Sequence, residues 1–128
     1  MYTLHVTDHF SAAHQLNGYE GKCENLHGHN WRVDISVYGD TLTDTGFLID
    51  FKELKRILRT VLERFDHQYL NDVPPFQHTN PTAEQIAREI FTDTAQRLPA
   101  HVAVGSVTVW ESHTSSCTYH ENTEESSV

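Results

Sequence analysis

From residue 27 to residue 37 the side chains alternate without interruption. His27, His29, Trp31, Val33, Ile35 and Val37 share one parity, and Gly28, Asn30, Arg32, Asp34 and Ser36 hold the other. Successive side chains of a strand point to opposite faces, so this pattern predicts a strand buried on one side. The two imidazoles sit on the apolar parity, where an unpaired ring is costly and a metal-bound one is not. A third imidazole, His14, ends an earlier strand in which Tyr2, Leu4 and Val6 alternate with Thr3, His5 and Thr7 and which runs on through Phe10. Small residues Ser11, Ala12 and Ala13 let that strand pack closely or bulge so as to aim His14 inward. Gly28, between the paired histidines, lets the backbone come close to whatever they hold.

The remaining elements follow from caps and periodicity. Asp50, with Glu53 three residues on, resembles a capping box, and Leu54, Ile57, Leu58, Val61, Leu62 and Phe65 then form one helical face. Asp66 and His67 fall where this helix ends. Asn71 to Pro75 breaks the chain, and Asn80-Pro81-Thr82 opens a second helix with Thr82 as N-cap and Gln85 at the reciprocal position. Val102 to Glu111 reads as a third strand and Ser116 to His120 as a shorter fourth. The order ββααββ predicts an α+β fold: a four-stranded antiparallel sheet with both helices on one face. Its open face and edges need cover, which self-association would supply. We expect one domain over residues 1–121 and a polar, acidic tail over 122–128.

Eighteen acidic residues against nine basic ones, a net charge of −9, argue against nucleic acid or an anionic membrane as the main partner. No apolar run approaches the roughly 18 residues of a membrane span, and Met1 leads directly into a strand, so a cytoplasmic location is expected. The two cysteines, Cys23 and Cys117, then read as thiols rather than a bridge, Cys117 as a small buried hydrophobe. Six of the ten histidines, His5, His9, His78, His101, His113 and His120, stand singly among polar neighbours and read as surface or interface groups.

Three neutral imidazoles with an open fourth position form the arrangement used by catalytic zinc, and His14, His27 and His29 supply three. Cys23 could instead close the shell and make the site structural. Beside a cation its thiol pKa would fall from ~8.5 toward neutrality, which suits a base or nucleophile. Asp66 and His67 form a candidate acid/base unit, with a helix-capping Asp and a surface His as the alternative. Glu111, at a strand end beside Trp110, could grip an amidine-like ring edge with two parallel hydrogen bonds, or could be an ordinary exposed glutamate.

Taken together, Phe10-Ser11-Ala12-Ala13-His14, Cys23-x3-His27-Gly28-His29, Thr45-Gly46-x3-Asp50-Phe51, Asp66-His67-x2-Leu70-Asn71, Asn80-Pro81-Thr82-x-Glu84 and Trp110-Glu111 resemble the 6-pyruvoyl-tetrahydropterin synthase family. The resemblance runs in order from near residue 3 to near residue 120. It is closest to the bacterial 6-carboxy-5,6,7,8-tetrahydropterin synthases of queuosine biosynthesis, since three residues separate Cys23 from His27. It implies the tunnelling fold, in which subunits join sheets into barrels and trimers stack into a homohexamer with active sites between subunits. It also implies Zn2+ on His14, His27 and His29, Cys23 as catalytic acid/base with Asp66 and His67 as partners, and Glu111 anchoring a pterin ring. The implied reaction converts 7,8-dihydroneopterin triphosphate to 6-carboxy-5,6,7,8-tetrahydropterin, acetaldehyde and triphosphate. Thr82 and Lys22 are candidate substrate contacts, Lys22 as local compensation for the triphosphate in an acidic protein. The alternatives are the sister reaction, triphosphate elimination to the 6-pyruvoyl product, and a non-catalytic zinc-stabilised pterin-binding domain.

Overall fold

A computed structural model describes residues 1–16 and 26–121. Strand β1 (Tyr2–His14) pairs antiparallel with β2 (His27–Gly39) in an unbroken ladder, from Tyr2 opposite Gly39 to His14 opposite His27. No residue is inserted along it. Strict alternation therefore carries His14 onto the same face as Phe10 and Ala12, and the bulge anticipated at Ser11 to Ala13 is not needed.

Helix α1 (Phe51–Leu62) starts where expected, the Asp50 carboxylate accepting from the Lys52 amide at 2.9 Å. Only half of the capping box forms, because Glu53 turns to Arg56 at 2.7 and 3.0 Å instead of reaching back. Phe65 is buried just beyond the helix. The chain then makes a two-residue strand, β3 (Gln68–Tyr69), parallel to Ala12 and Ala13 of β1, and a 3-10 turn over Leu70–Asp72. Helix α2 (Ala83–Arg97) is capped by the Thr82 hydroxyl, which accepts from the Gln85 amide at 3.2 Å. Strand β4 (Ala103–Ser112) pairs with β2, and β5 (Ser115–Tyr119) with β4, both antiparallel.

The sheet order is β3-β1-β2-β4-β5, five strands rather than the expected four. The addition is β3, too short to leave any alternation in the sequence. The α+β class, the helices and the antiparallel body of the sheet stand as read.

One core lies between the sheet and the helices. Trp31, Val33, Ile35, Val37, Val107 and Val109 face Leu54, Leu58, Val61, Leu62, Ile86 and Ile90, all essentially excluded from solvent. Burying a side chain of this size contributes roughly 1.5–3 kcal/mol. Arg64, just past α1, binds Glu89 at 3.0 Å and Asp93 at 3.1 Å and so clamps α1 to α2. Gly39 ends β2 where a Cβ would lie 2.6 Å from the His101 carbonyl oxygen, so the tight approach of those segments requires glycine.

The other face of the sheet is polar. Thr7 donates to Asp34 at 2.7 Å, Ser36 meets Ser106 at 2.8 Å, and Thr108 meets Thr118 at 2.7 Å. These cross-strand pairs satisfy one another's hydroxyls and leave a wet surface.

Candidate metal centre and adjoining cavity

The covered face of the sheet changes chemistry at one end. Past Phe10 and Trp31, whose rings stack at 5.8 Å, the next positions on that face are Ala12 with its partner His29 and His14 with its partner His27. Register alone thus brings the three histidines together. Their ring centroids lie 4.7 Å (His14 to His27), 5.1 Å (His14 to His29) and 4.7 Å (His27 to His29) apart, all edge to face. Trp31 packs against two of them and is itself fixed by donating its indole N–H to the Ala12 carbonyl at 3.3 Å.

A fourth group joins them from β4. Glu111 Oε2 lies 3.1 Å from His14 Nε2 and 3.3 Å from His29 Nε2. The four side chains offer ligand atoms within 4.8 Å of one another, a group able to hold a metal ion.

The protonation of His14 tests this capacity. The ring is 2% exposed, and its Nδ1 lies 2.9 Å from the Pro81 carbonyl, which can only accept. The Nδ1 proton is thereby fixed, and in the neutral ring Nε2 carries a lone pair. That lone pair faces a carboxylate oxygen and makes no hydrogen bond despite contact distance. Two acceptors held together need a cation between them or a proton on the ring, and an imidazole oriented by a backbone carbonyl is the usual preparation of a metal ligand. The donor set fits zinc.

Glu111 shares the parity of Val107 and Val109, so alternation along β4 turns it to the same covered face as the histidines. In the β4–β5 ladder Trp110 pairs with Ser116 and Ser112 with Ser115, so Glu111 is left without a partner on β5. Beside it opens a cavity of about 530 Å³, lined by His29, Glu111, Trp110, Ser112, Arg32 and His113 among others. Asp34 organises its wall, accepting from Trp110 Nε1 at 2.9 Å and Arg32 Nε at 3.0 Å, with the Arg32 guanidinium 5.5 Å above the indole. Burial pushes the Asp34 carboxyl up, but hydrogen bonds from Thr7, Trp110 and Arg32 outweigh it and hold its pKa below the ordinary 3.8.

Asp66 and His67 pair elsewhere. Asp66 Oδ1 accepts from the Ser11 amide at 3.0 Å and lies 3.1 Å from His67 Nδ1, while Arg59 approaches Oδ2 at 3.5 Å. His67 adopts a left-handed φ of 59°, its amide bonds the Ser11 carbonyl at 2.6 Å, and its ring is 81% exposed. It lines a second cavity, with Ser11, Ala13, Leu26 and Tyr69, that shares no lining residue with the first. Among the described residues, the cavity lined by His67 and the one lined by His29 and Glu111 are therefore separate.

Lys22 and Cys23 lie outside the described residues. The Thr82 hydroxyl is engaged as the α2 cap, and it is the preceding Pro81 that touches the site. Gly28 lines the first cavity, but among the described residues a Cβ there would meet only the Ala12 carbonyl oxygen at an ordinary 3.9 Å, so none of them demands a glycine by close approach. Cys117 is a free thiol whose pKa is raised by burial and by Glu84, as befits a packing residue. His9 and His113, which read from the sequence as surface or interface groups, line the cavity together with Arg32, and isolated polar residues of this kind carry no spacing signal. The Pro81 carbonyl was equally invisible, being backbone.

A small α+β domain whose sheet ends in a half-buried histidine-carboxylate group able to hold a metal defines a class of protein. The chain belongs to the 6-pyruvoyl tetrahydropterin synthase family, whose model matches residues 3–122. It is 33% identical over 134 residues to the 6-carboxy-5,6,7,8-tetrahydropterin synthase of Haemophilus influenzae, covering 88% of this chain and 94% of that protein. It is 36% identical over 129 residues to the 6-carboxy-5,6,7,8-tetrahydropterin synthase of Bacillus subtilis, covering 92% and 84%. Among solved structures, the 6-pyruvoyl tetrahydropterin synthase of Caenorhabditis elegans superposes with a TM-score of 0.81 at 29% identity, covering 94% of this chain and 96% of that one. No helix among the described residues is long and apolar enough to cross a membrane.

Proposed function

We propose that the protein is a zinc-dependent 6-carboxy-5,6,7,8-tetrahydropterin synthase. It converts 7,8-dihydroneopterin triphosphate to 6-carboxy-5,6,7,8-tetrahydropterin, acetaldehyde and triphosphate, in the cytoplasm, as a step toward queuosine. The observation that carries this reading is the group of His14, His27, His29 and Glu111 opening onto a cavity walled by Trp110. An indole, a serine hydroxyl and a carboxylate around one cavity suit a flat, hydrogen-bonding heterocycle. The names and coverage of the bacterial relatives favour the carboxy product. The likeness to a nematode 6-pyruvoyl enzyme keeps triphosphate elimination as the second reading.

In this reading His14, His27 and His29 hold zinc, which when bound supplies Lewis acidity toward an oxygen of the substrate side chain. The Pro81 carbonyl keeps the His14 proton on Nδ1 and so keeps Nε2 available. Cys23 takes the substrate proton, with Asp66 orienting His67 through Nδ1 so that Nε2 serves its return. Glu111 receives the pterin ring edge, and Lys22 meets the triphosphate. Residues 1–121 form the catalytic domain, with 122–128 as a polar tail.

The separation of the His67 and Glu111 cavities supports a site completed between subunits, and β3 and β5 leave sheet edges for joining them. A homohexamer built as a dimer of trimers is the assembly we propose. The reaction is tested by incubating zinc-loaded protein with 7,8-dihydroneopterin triphosphate and following pterins and acetaldehyde together by mass spectrometry. Acetaldehyde with a carboxylated tetrahydropterin supports the reading. A pyruvoyl product without acetaldehyde moves the protein to the sister reaction, and unchanged substrate at full zinc occupancy leaves a zinc-stabilised pterin-binding domain.

A further inference from the structure

Glu111 is asked to be in two places. As a ring anchor it belongs in the cavity with Trp110 and Ser112, yet its Oε2 stands 3.1 and 3.3 Å from two histidine nitrogens. Around a tetrahedral zinc with bonds of about 2.0–2.1 Å, neighbouring ligand atoms are separated by about 3.3 Å. Those two contacts have the length of the edges of such a tetrahedron.

We infer that Glu111 is a displaceable metal ligand. Its carboxylate fills the fourth position beside His14, His27 and His29 in the substrate-free protein, and leaves it for the ring edge of an arriving pterin. This rests on the proposed function for the identity of the ligand. The bulge between Trp110 and Ser112 supplies the freedom, since Glu111 carries no pairing to β5. The side chain is 38% exposed and borders both the histidines and the cavity, so one change of rotamer carries the carboxylate from one to the other. Occupancy of the fourth position by a carboxylate also gives the buried His14 Nε2 a closed set of charges when no substrate is present.

The consequence is coupling. Binding the pterin ring opens the metal, so the position needed for chemistry becomes available only when a substrate is seated. A ligand with no ring edge to offer the carboxylate leaves the shell closed.

The experiment is optical and needs no turnover. The full chain is loaded with cobalt(II) in place of zinc, and its visible absorption is recorded before and after oxidised neopterin, which lacks the triphosphate. In the wild type, neopterin changes the cobalt spectrum as carboxylate gives way to water or a side-chain oxygen. In Glu111→Ala the spectrum is altered before any ligand is added, neopterin changes it little, and cobalt is held about 10-fold less tightly or worse, at least the scale of losing an outer-shell partner. Glu111→Gln keeps the size of the side chain and gives the same direction should the alanine variant fold poorly.

Wild-type and Glu111→Gln spectra and cobalt affinities that coincide would overturn the inference. So would a thiolate-to-cobalt charge-transfer band in the ligand-free protein that disappears in Cys23→Ser, because the fourth position would then be sulfur. Neopterin that binds without changing the spectrum also overturns it, and leaves the proposed reaction standing. A spectral exchange in a protein that releases no acetaldehyde from the triphosphate substrate supports the inference and overturns the reaction instead. Absence of cobalt uptake overturns both.

Discussion

The middle and the end of the sheet's covered face are built by the same ladder and do opposite things with buried surface. In the middle, Val33, Ile35, Val37 and Val107 meet the largely apolar sides of α1 and α2, with the buried Thr94 hydroxyl of α2 a polar exception. At the end, the same alternation delivers His14, His27 and His29, and a carboxylate arrives from β4. The middle contributes stability by removing area from water, and the end spends some of it to hold the buried His14 Nε2 against a carboxylate oxygen, a contact that calls for a cation or a proton between them. A functional site here is not an insertion into the fold but the continuation of its core with other residues.

The sharpest way to break this comparison is to remove one imidazole. His29→Ala should lower turnover by roughly a thousandfold or more, since a metal supplies several kcal/mol to such a reaction and each 1.4 kcal/mol is a tenfold change. Zinc measured by elemental analysis should fall with it while far-ultraviolet circular dichroism is kept. Retained zinc with lost activity would place His29 in catalysis rather than ligation. Leu58→Ala does the reverse experiment in the middle of the face. It should cost about 2–5 kcal/mol of unfolding free energy in urea while the folded fraction keeps full zinc.

Smaller effects sharpen the boundary between the regions. Thr82→Ala removes the cap of α2 and should cost about 1 kcal/mol. Because the adjacent Pro81 carbonyl fixes His14, zinc affinity should fall in parallel in a competition titration with a chelator. A rise in KM with neither change would make Thr82 a substrate contact. Asp34 tests the open face, where the effect is smallest. Its folded pKa lies below 3.8, so its contribution is complete above that value and is lost as pH falls through the lowered one. Asp34→Asn should flatten the acid limb of melting temperature against pH, by under ~1 kcal/mol for so exposed a network. An unchanged acid limb would show that the Thr7, Trp110 and Arg32 bonds contribute nothing there.

What the sequence made legible is what alternation and capping encode. Trp31 to Val37 and Leu54 to Leu62 declare their buried sides by period, and Asp50 and Thr82 declare helix starts by chemistry. The gathering of His14, His27 and His29 could be read because parity is preserved along a paired strand. β3 could not be read, since two residues have no period. The face of Glu111 follows from its parity with Val107 and Val109, but its missing partner on β5 could not be read, since only the β4–β5 register reveals it. Arg59 against Asp66 and Asp34 against Trp110 join residues 7 and 76 positions apart, and no local pattern foretells such partners.

The unbroken β1–β2 ladder also limits how such a gene can change. Exchanging one side chain along it alters a contact, but deleting a single codon between His29 and Gly39 would shift every later pairing by one and exchange the two faces of the strand. Trp31 or its successors would then lie in water and Arg32 or Asp34 in the core. Lineages carrying this site are thus expected to differ in length only outside the thirteen positions from Tyr2 to His14 and their partners from His27 to Gly39. Within those positions they should diverge by substitution alone.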